Sequence, residues 1–212
     1  MRIKRLYVKD YGNLKNFEIC PEARQQTTVI LGRNGAGKSN LIEVFVEIFR
    51  DLEAKTASRF CYELNYSIRG FDIQIGNDPD GRPKQQITVN GQQIPFKAFT
   101  QQLDDYLPKY VFSYYSGWNR RLEAFFDKPT KKLYNDWKKG GTFENIPLRR
   151  LFYCRKDYSQ LVLLAFFLMD KNPEIKSFLL DFLKIKDFES ALFVMHRPFW
   201  RGSGKPTQDD LN

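Results

Sequence analysis

Alternating apolar and polar residues mark several segments in the first hundred residues and predict β-strands there. The first two, over residues 2–10 and 14–19, are joined by a turn. An antiparallel meander is expected over 60–96, because Asn90-Gly91 is the strongest two-residue hairpin signal and the apolar residues before it alternate. The predicted strands of the meander cover residues 60–68, 71–75 and 86–89.

Between these two groups the apolar pattern changes. Thr27–Leu31 is a short β-branched run, which predicts a buried central strand. From Lys38 to about Leu52 the apolar residues fall at helical spacing. A strand, a glycine-rich loop and a helix are therefore expected in that order.

The second half of the chain is mainly helical in pattern. Asn172-Pro173 predicts an N-cap followed by a helix start. Helices are expected over 96–106, 119–127 (closed by Pro129), 130–139, 158–170 and 173–184, with a buried strand over 110–114. These elements predict a first lobe over 1–117 that contains the glycine-rich loop, a helical lobe or insertion over 118–200 and a flexible tail over 201–212.

The composition argues against several classes of protein and of catalytic site. The chain of 212 residues has 34 Lys+Arg against 25 Asp+Glu, a formal net charge of +9, with 42% hydrophobic residues as in folded soluble proteins. One histidine (His196) and three separated cysteines argue against a His-based triad, a zinc site and a disulfide framework. The longest apolar run, Leu161–Met169, is too short to span a bilayer. We expect a cytoplasmic protein without a membrane partner.

The loop Gly32-x-x-x-x-Gly37-Lys38-Ser39 matches the phosphate-binding P-loop at every fixed position. Glycines let backbone N–H groups approach a phosphate, and the helix N-terminus adds its dipole. Lys38 is expected to reach the β- and γ-phosphates and Ser39 to hold Mg²⁺, so these two are the catalytic candidates. The predicted phosphate-binding residues are Gly32, Arg33, Asn34, Gly35, Ala36, Gly37, Lys38 and Ser39.

The loop variant G-x-N-G-x-G-K-S follows a strand pair reading Leu6-x-Val8-x-x-Tyr11-Gly12-Asn13-Leu14-x-x-Phe17. Together they resemble the ATP-binding heads of SMC/RecF/OLD-like ABC-type ATPases. The resemblance implies an α/β P-loop NTPase fold, with a mixed sheet, an N-terminal antiparallel meander and a helical lobe. It also implies ATP as cofactor, Tyr11 and Asn13 near adenine and ribose, Asn40 beside the phosphates, and ATP-dependent homodimers.

The stretches 110–122 and 148–167 resemble bacterial AAA-family ATPases of restriction and Septu-type anti-phage systems. That resemblance implies a role in DNA maintenance or defence, with DNA and an effector nuclease as partners.

Two motifs of a hydrolysing site lack a match. Tyr115-Ser116-Gly117 is half a signature loop, and Leu161–Asp170 ends in Asp but is followed by Lys171 and is patterned as a helix. The chain is therefore expected to be the N-terminal part of a longer ATPase that binds ATP but hydrolyses it poorly, since loss of a general base costs on the order of 10²–10⁴ in rate.

A basic strip leaves an alternative open. Lysines 128, 131, 132, 138 and 139 indicate either phosphate-backbone contact or a solvated helix face. The alternative function is a non-hydrolysing nucleotide-sensing or DNA-binding module that acts through this helical lobe. A small-molecule kinase is a third class, and the antiparallel meander argues against it.

Overall fold

The computed structural model describes residues 1–22, 25, 27–115, 121–139, 149–155, 158–169, 172–190 and 192. The chain divides into two compact units, Met1–Cys154 and Arg155–Asn212, whereas the sequence pattern places a boundary near residue 117. Several predicted features lie outside the described residues: Ser116-Gly117, Asp170, Lys171, His196 and the tail 201–212.

A six-stranded antiparallel sheet organises the first unit, with strand order β2-β1-β3-β4-β5-β6. Both the N-terminal strand pair and the meander are confirmed, because each strand pairs antiparallel with its neighbours in this order. The strands are β1 (Arg2–Tyr11), β2 (Leu14–Ile19), β3 (Tyr62–Ile68), β4 (Phe71–Asn77), β5 (Gln85–Val89) and β6 (Gln92–Ile94).

The first unit also contains helices and a separate sheet of two parallel strands. Strands β7 and β8 pair with each other in parallel. Pro129 was expected to close a helix but lies in the first turn of α5, where a backbone N–H has no intrahelical acceptor in any case. The elements are α1 (Lys38–Glu53), α2 (Phe96–Gln101), α3 (Leu103–Tyr106), β7 (Val111–Ser113), α4 (Arg121–Ala124), α5 (Asp127–Lys138) and β8 (Leu151–Tyr153).

Helix α1, which directly follows the glycine loop, is buried on two sides. One side packs on the inner face of the sheet, in a cluster that includes Leu6, Val8, Leu41, Val44, Ile48, Leu64, Tyr66, Ile73, Ile75 and Ile87. A smaller cluster consists of Val46, Leu122, Phe126 and Leu151. Helix α1 therefore packs on the sheet and, through Val46 near its middle, on the segment that follows β7 and on β8.

The predicted central strand over Thr27–Leu31 is wrong. These residues pair with no strand in the described structure, and Val29 and Leu31 are 74% and 89% exposed. A central strand needs a hydrogen-bonded neighbour on each side. The six sheet strands instead pair only with one another. The apolar run is therefore an exposed segment outside any strand and leads into the glycine loop.

The described part of the second unit contains helices, followed by residues 184–190 in no regular element. It contains α6 (Tyr158–Leu168), α7 (Pro173–Ser177) and a π-helical turn over Phe178–Phe182. The predicted cap is confirmed, because the Asn172 side chain accepts a hydrogen bond of 3.0 Å from the Glu174 backbone N–H. The apolar run after residue 160 is thus helix, as predicted, and not a strand. No helix among the described residues is long and apolar enough to cross a membrane.

Candidate nucleotide-binding site

The glycine loop is exposed from residue 32 to 36 and runs directly into α1. Gly35 and Gly37 adopt φ angles of +83° and +97°, a left-handed region that favours glycine. Gly37 is the N-cap of α1 and offers no side-chain acceptor to the first turn. The first N–H groups of the helix are therefore available to an anion, and the helix dipole attracts negative charge to the same place.

Lys38 lies across the loop that precedes it. Its Nζ donates hydrogen bonds of 2.6 Å to the Gly32 carbonyl and 2.8 Å to the Arg33 carbonyl. Both contacts are exposed, so an incoming phosphate can replace the two carbonyls as acceptors for the ammonium. Ser39 follows one residue further on, in the first turn of α1, and is exposed.

The turn between β1 and β2 contacts the glycine loop from the side. The Asn13 amide Nδ2 donates to the Gly35 carbonyl, and Asn40 Nδ2 donates to Asn13 Oδ1 at 2.7 Å. A Cβ on Gly12 would overlap the Asn40 amide, so this approach needs glycine there. The structure thus brings Asn13 and Asn40 to the loop. Their predicted contacts with a nucleotide stay predictions.

Tyr11 lies away from the loop. Its hydroxyl donates a 2.9 Å hydrogen bond to Glu47 Oε2, and its ring meets the edge of Phe60 at 4.8 Å. Glu47 comes eight residues after Ser39 on α1, about 12 Å along the axis at 1.5 Å per residue. Burial, together with the negative charges of Glu47 and Glu43, raises the pKa of Tyr11. The structure gives Tyr11 a packing partner and leaves its predicted contact with adenine untested.

A row of buried acidic residues on α1 was not foreseen from the sequence. Glu43, Glu47 and Asp51 repeat every four residues and are 5%, 0% and 7% exposed. Burial raises the pKa of Asp51, although Arg50 donates hydrogen bonds to it. The basic partners of this row are Arg121 at 2.8 Å from Glu43, Arg59 at 2.9 Å from Glu47 and Arg50 at 2.6 Å from Asp51. The four-residue spacing places the three acidic residues on one helix face, but it does not identify the arginines that pair with them.

The site also suits a nucleotide-bound Mg²⁺. Among the described residues no group of three or more His, Cys, Asp or Glu side chains is placed to hold a metal ion. The Ser39 hydroxyl would hold a divalent cation together with the phosphates of a nucleotide, which is how P-loop proteins hold Mg²⁺. Lys38, Ser39 and the open first turn of α1 fit such a ligand.

Comparison with known proteins agrees with this geometry. Residues 1–70 match the family described as AAA domain. The chain is 30% identical over 115 residues to the DNA replication and repair protein RecF of Anaeromyxobacter dehalogenans (strain 2CP-C). The N-terminal part of this chain is therefore similar to an AAA domain and to RecF. The matched region is half of this chain and 30% of RecF, so the chain spans about a third of the curated relative.

Two solved structures are similar to this chain. An SMC ATPase, reported in work on ATP-driven dimerisation and DNA-stimulated activation, is 18% identical with a TM-score of 0.36 and covers 65% of this chain and 99% of its own. The recombination mediator RecF, solved as RecF-ATPrS, is 17% identical with a TM-score of 0.30 and covers 86% of this chain and 54% of its own. The resemblance predicted from the loop variant and the preceding strand pair is confirmed by the family match and the RecF identity.

Proposed function

We propose that this chain binds ATP and Mg²⁺ through residues 32–40, as the N-terminal part of an SMC/RecF-like ATPase. The observation that carries the proposal is Lys38 at the uncapped start of α1, directly after two left-handed glycines. The match of residues 1–70 to an AAA domain supports it, because the loop falls inside that match.

Each residue has a separate task in this proposal. The first N–H groups of α1 bind the β-phosphate, and Lys38 exchanges its two loop carbonyls for phosphate oxygens. The Ser39 hydroxyl is a ligand of Mg²⁺, which neutralises charge on the phosphates. No strand among the described residues ends in Asp-Glu, so hydrolysis is assigned to the longer protein and only weak activity to this chain.

Substitution of Lys38 by alanine tests the proposal. Loss of a hydrogen bond between charged groups weakens binding by about 1.5–3 kcal/mol, or about 10- to 150-fold in Kd. Titration calorimetry with Mg²⁺ and ATP measures this change. Lys9→Ala, an exposed lysine on β1, is the matched control and should bind like the parent. Equal affinity of Lys38→Ala and the parent chain would contradict the proposal.

For the whole protein we propose ATP-dependent homodimerisation through the nucleotide site and a cytoplasmic role in bacterial DNA maintenance. The RecF relative, named for DNA replication and repair, supports the DNA-related role. Light scattering of the complete protein with and without ATP tests dimerisation: a mass that stays monomeric with ATP contradicts it.

We also propose a role in anti-phage defence with an effector nuclease, because the sequences of residues 110–122 and 148–167 resemble ATPases of such systems. Unchanged plaque numbers after deletion of the gene would contradict that role.

Helix α5 favours a second function, direct binding of DNA. Its lysines fall within about 120° of the helix surface at 100° per residue, and all are exposed. They are Lys128, Lys131, Lys132 and Lys138, with Lys139 directly after the helix. The double substitution Lys131→Ala, Lys132→Ala should lower the salt dependence of duplex binding by roughly two units of log K against log salt. Lys9→Ala, Lys15→Ala on the sheet is the control pair, and equal slopes in both pairs would exclude this surface.

A further inference from the structure

Arg121, the first residue of α4, contacts the first two turns of α1. Its Nη2 donates a hydrogen bond of 2.8 Å to Glu43 Oε2 and another of 3.2 Å to Asn40 Oδ1. Arg121 comes about eighty residues after both partners in the chain, so the contact joins two distant segments. Glu43 is 5% exposed, and the guanidinium therefore neutralises a buried carboxylate as well as contacting Asn40.

The contact continues from Asn40 to the glycine loop. Asn40 Nδ2 donates to Asn13 Oδ1 at 2.7 Å, and Asn13 Nδ2 donates to the Gly35 carbonyl. Each of the two amides uses its oxygen as acceptor and its nitrogen as donor, so every hydrogen bond runs in one direction, from the guanidinium to the loop. Hydrogen bonds in such a chain polarise and strengthen one another, most of all when the first donor is charged.

The start of this chain of hydrogen bonds is held in place by packing. Leu122, the neighbour of Arg121, is 3% exposed and lies in one cluster with Val46, Phe126 and Leu151. The other end is a glycine at φ +83° whose Cβ position has no atom within 4 Å, so side-chain packing does not restrain it. A glycine loses more conformational freedom on ordering than any other residue. The Gly35 carbonyl is therefore the point where an outside restraint has the largest effect.

We propose that Arg121 is a positioning residue for the P-loop and acts through Asn40 and Asn13. It holds the Gly35 carbonyl and keeps residues 33–37 in the conformation that accepts phosphate. The proposal rests on the proposed nucleotide binding, because the conformation of residues 33–37 matters for function only if this loop binds phosphate. A binding-competent conformation that is populated before the ligand arrives raises the apparent affinity in proportion to its population.

Removing Arg121 alone would leave Glu43 buried without this partner, so the substitutions are compared in a Glu43→Gln chain. In that background Arg121→Ala should raise amide hydrogen exchange at Ala36 and Leu41, whose N–H groups donate to the Arg33 and Gly37 carbonyls, by about 3- to 10-fold, the range for the net contribution of one hydrogen bond. The Kd for Mg²⁺-ATP should rise by about the same factor. Arg121→Lys keeps one charged donor and should restore part of both values. Arg5→Ala, which removes an arginine paired with Glu18 and Glu63 on the sheet, is the control and should change neither.

The outcomes separate this proposal from nucleotide binding itself. Faster exchange at Ala36 and Leu41 but not in the sheet, partly restored by lysine, supports a positioning role even in a chain without nucleotide. Exchange within twofold of the Glu43→Gln parent, or an equal increase across β3–β5, overturns the role of Arg121. If Arg121→Ala changes nothing while Lys38→Ala loses ATP, nucleotide binding stands and only the positioning role fails.

Discussion

A methyl group added at Gly37 should disturb the P-loop more than one added at Gly35. Both residues have positive φ angles, +97° and +83°. A Cβ on Gly37 would lie 2.7 Å from Leu14 Cδ2 and 2.8 Å from Asn13 Oδ1, whereas a Cβ on Gly35 would have no heavy atom within 4 Å. The two alanine variants therefore share backbone strain and differ in steric overlap.

The expected magnitudes follow from these contacts. An L-residue in a left-handed conformation costs about 1–2 kcal/mol, which applies to both variants. Overlap with Leu14, which is 3% exposed, adds roughly the 1–3 kcal/mol of an overpacked site to Gly37→Ala alone. We therefore expect destabilisation by about 1–2 kcal/mol for Gly35→Ala and about 2–5 kcal/mol for Gly37→Ala.

Urea unfolding followed by circular dichroism measures both free energies of unfolding. Hydrogen exchange of the β1–β2 hairpin shows whether Asn13 and Leu14 are the groups that move. The reasoning is refuted if Gly37→Ala is no more destabilised than Gly35→Ala, because the steric difference between the two positions would then have no effect.

Two further predictions concern the acidic row of α1. Burial raises the pKa of Asp51, so the folded chain binds that proton more tightly than the unfolded chain does, and the associated stability is lost as pH rises from about 4. Unfolding free energies of the parent should therefore fall relative to Asp51→Asn between pH 4 and 7, and a parallel pH dependence of the two chains would contradict this. Tyr11→Phe removes a hydrogen bond to the Glu47 carboxylate and should destabilise the chain by about 1–2 kcal/mol in the same assay; a change below roughly 0.3 kcal/mol would show that the bond contributes little.

The meander could be predicted from sequence because its signals are local. Tyr62, Leu64, Tyr66 and Ile68 alternate along β3, and all four are buried as their period of two predicts. The Asn90-Gly91 turn needs positive φ at both positions, and both residues have it, at +49° and +80°. Each of these features depends on residues close together in the chain.

The strand expected over Thr27–Leu31 shows where local signals end. Its β-branched composition suits a strand, but a strand exists only where another segment completes the hydrogen bonds. No described segment does so, and the composition of the run contains no information about that partner.

The candidate site was predictable in part for the same reason. The P-loop residues are consecutive and therefore visible as a motif. The pairing of Glu43 with Arg121, in contrast, joins residues far apart in sequence and depends on how α4 packs beside α1. In the sequence, Glu43, Glu47 and Asp51 look like a solvent-exposed helix face. Only the structure shows that they are buried and paired with arginines.

Strands β1 and β3 are direct neighbours in the sheet, yet residues 12–61, including the glycine loop and α1, lie between them. The turns that join β3 to β4 and β5 to β6 have only two residues, at 69–70 and 90–91. Closing a short loop costs less chain entropy than closing a long one, and contacts that are close in sequence form faster. During refolding the β3–β6 meander should therefore form before the β1–β3 ladder, and the P-loop should take its shape late. A chain arrested part-way through folding would contain a near-native meander and would not yet bind phosphate.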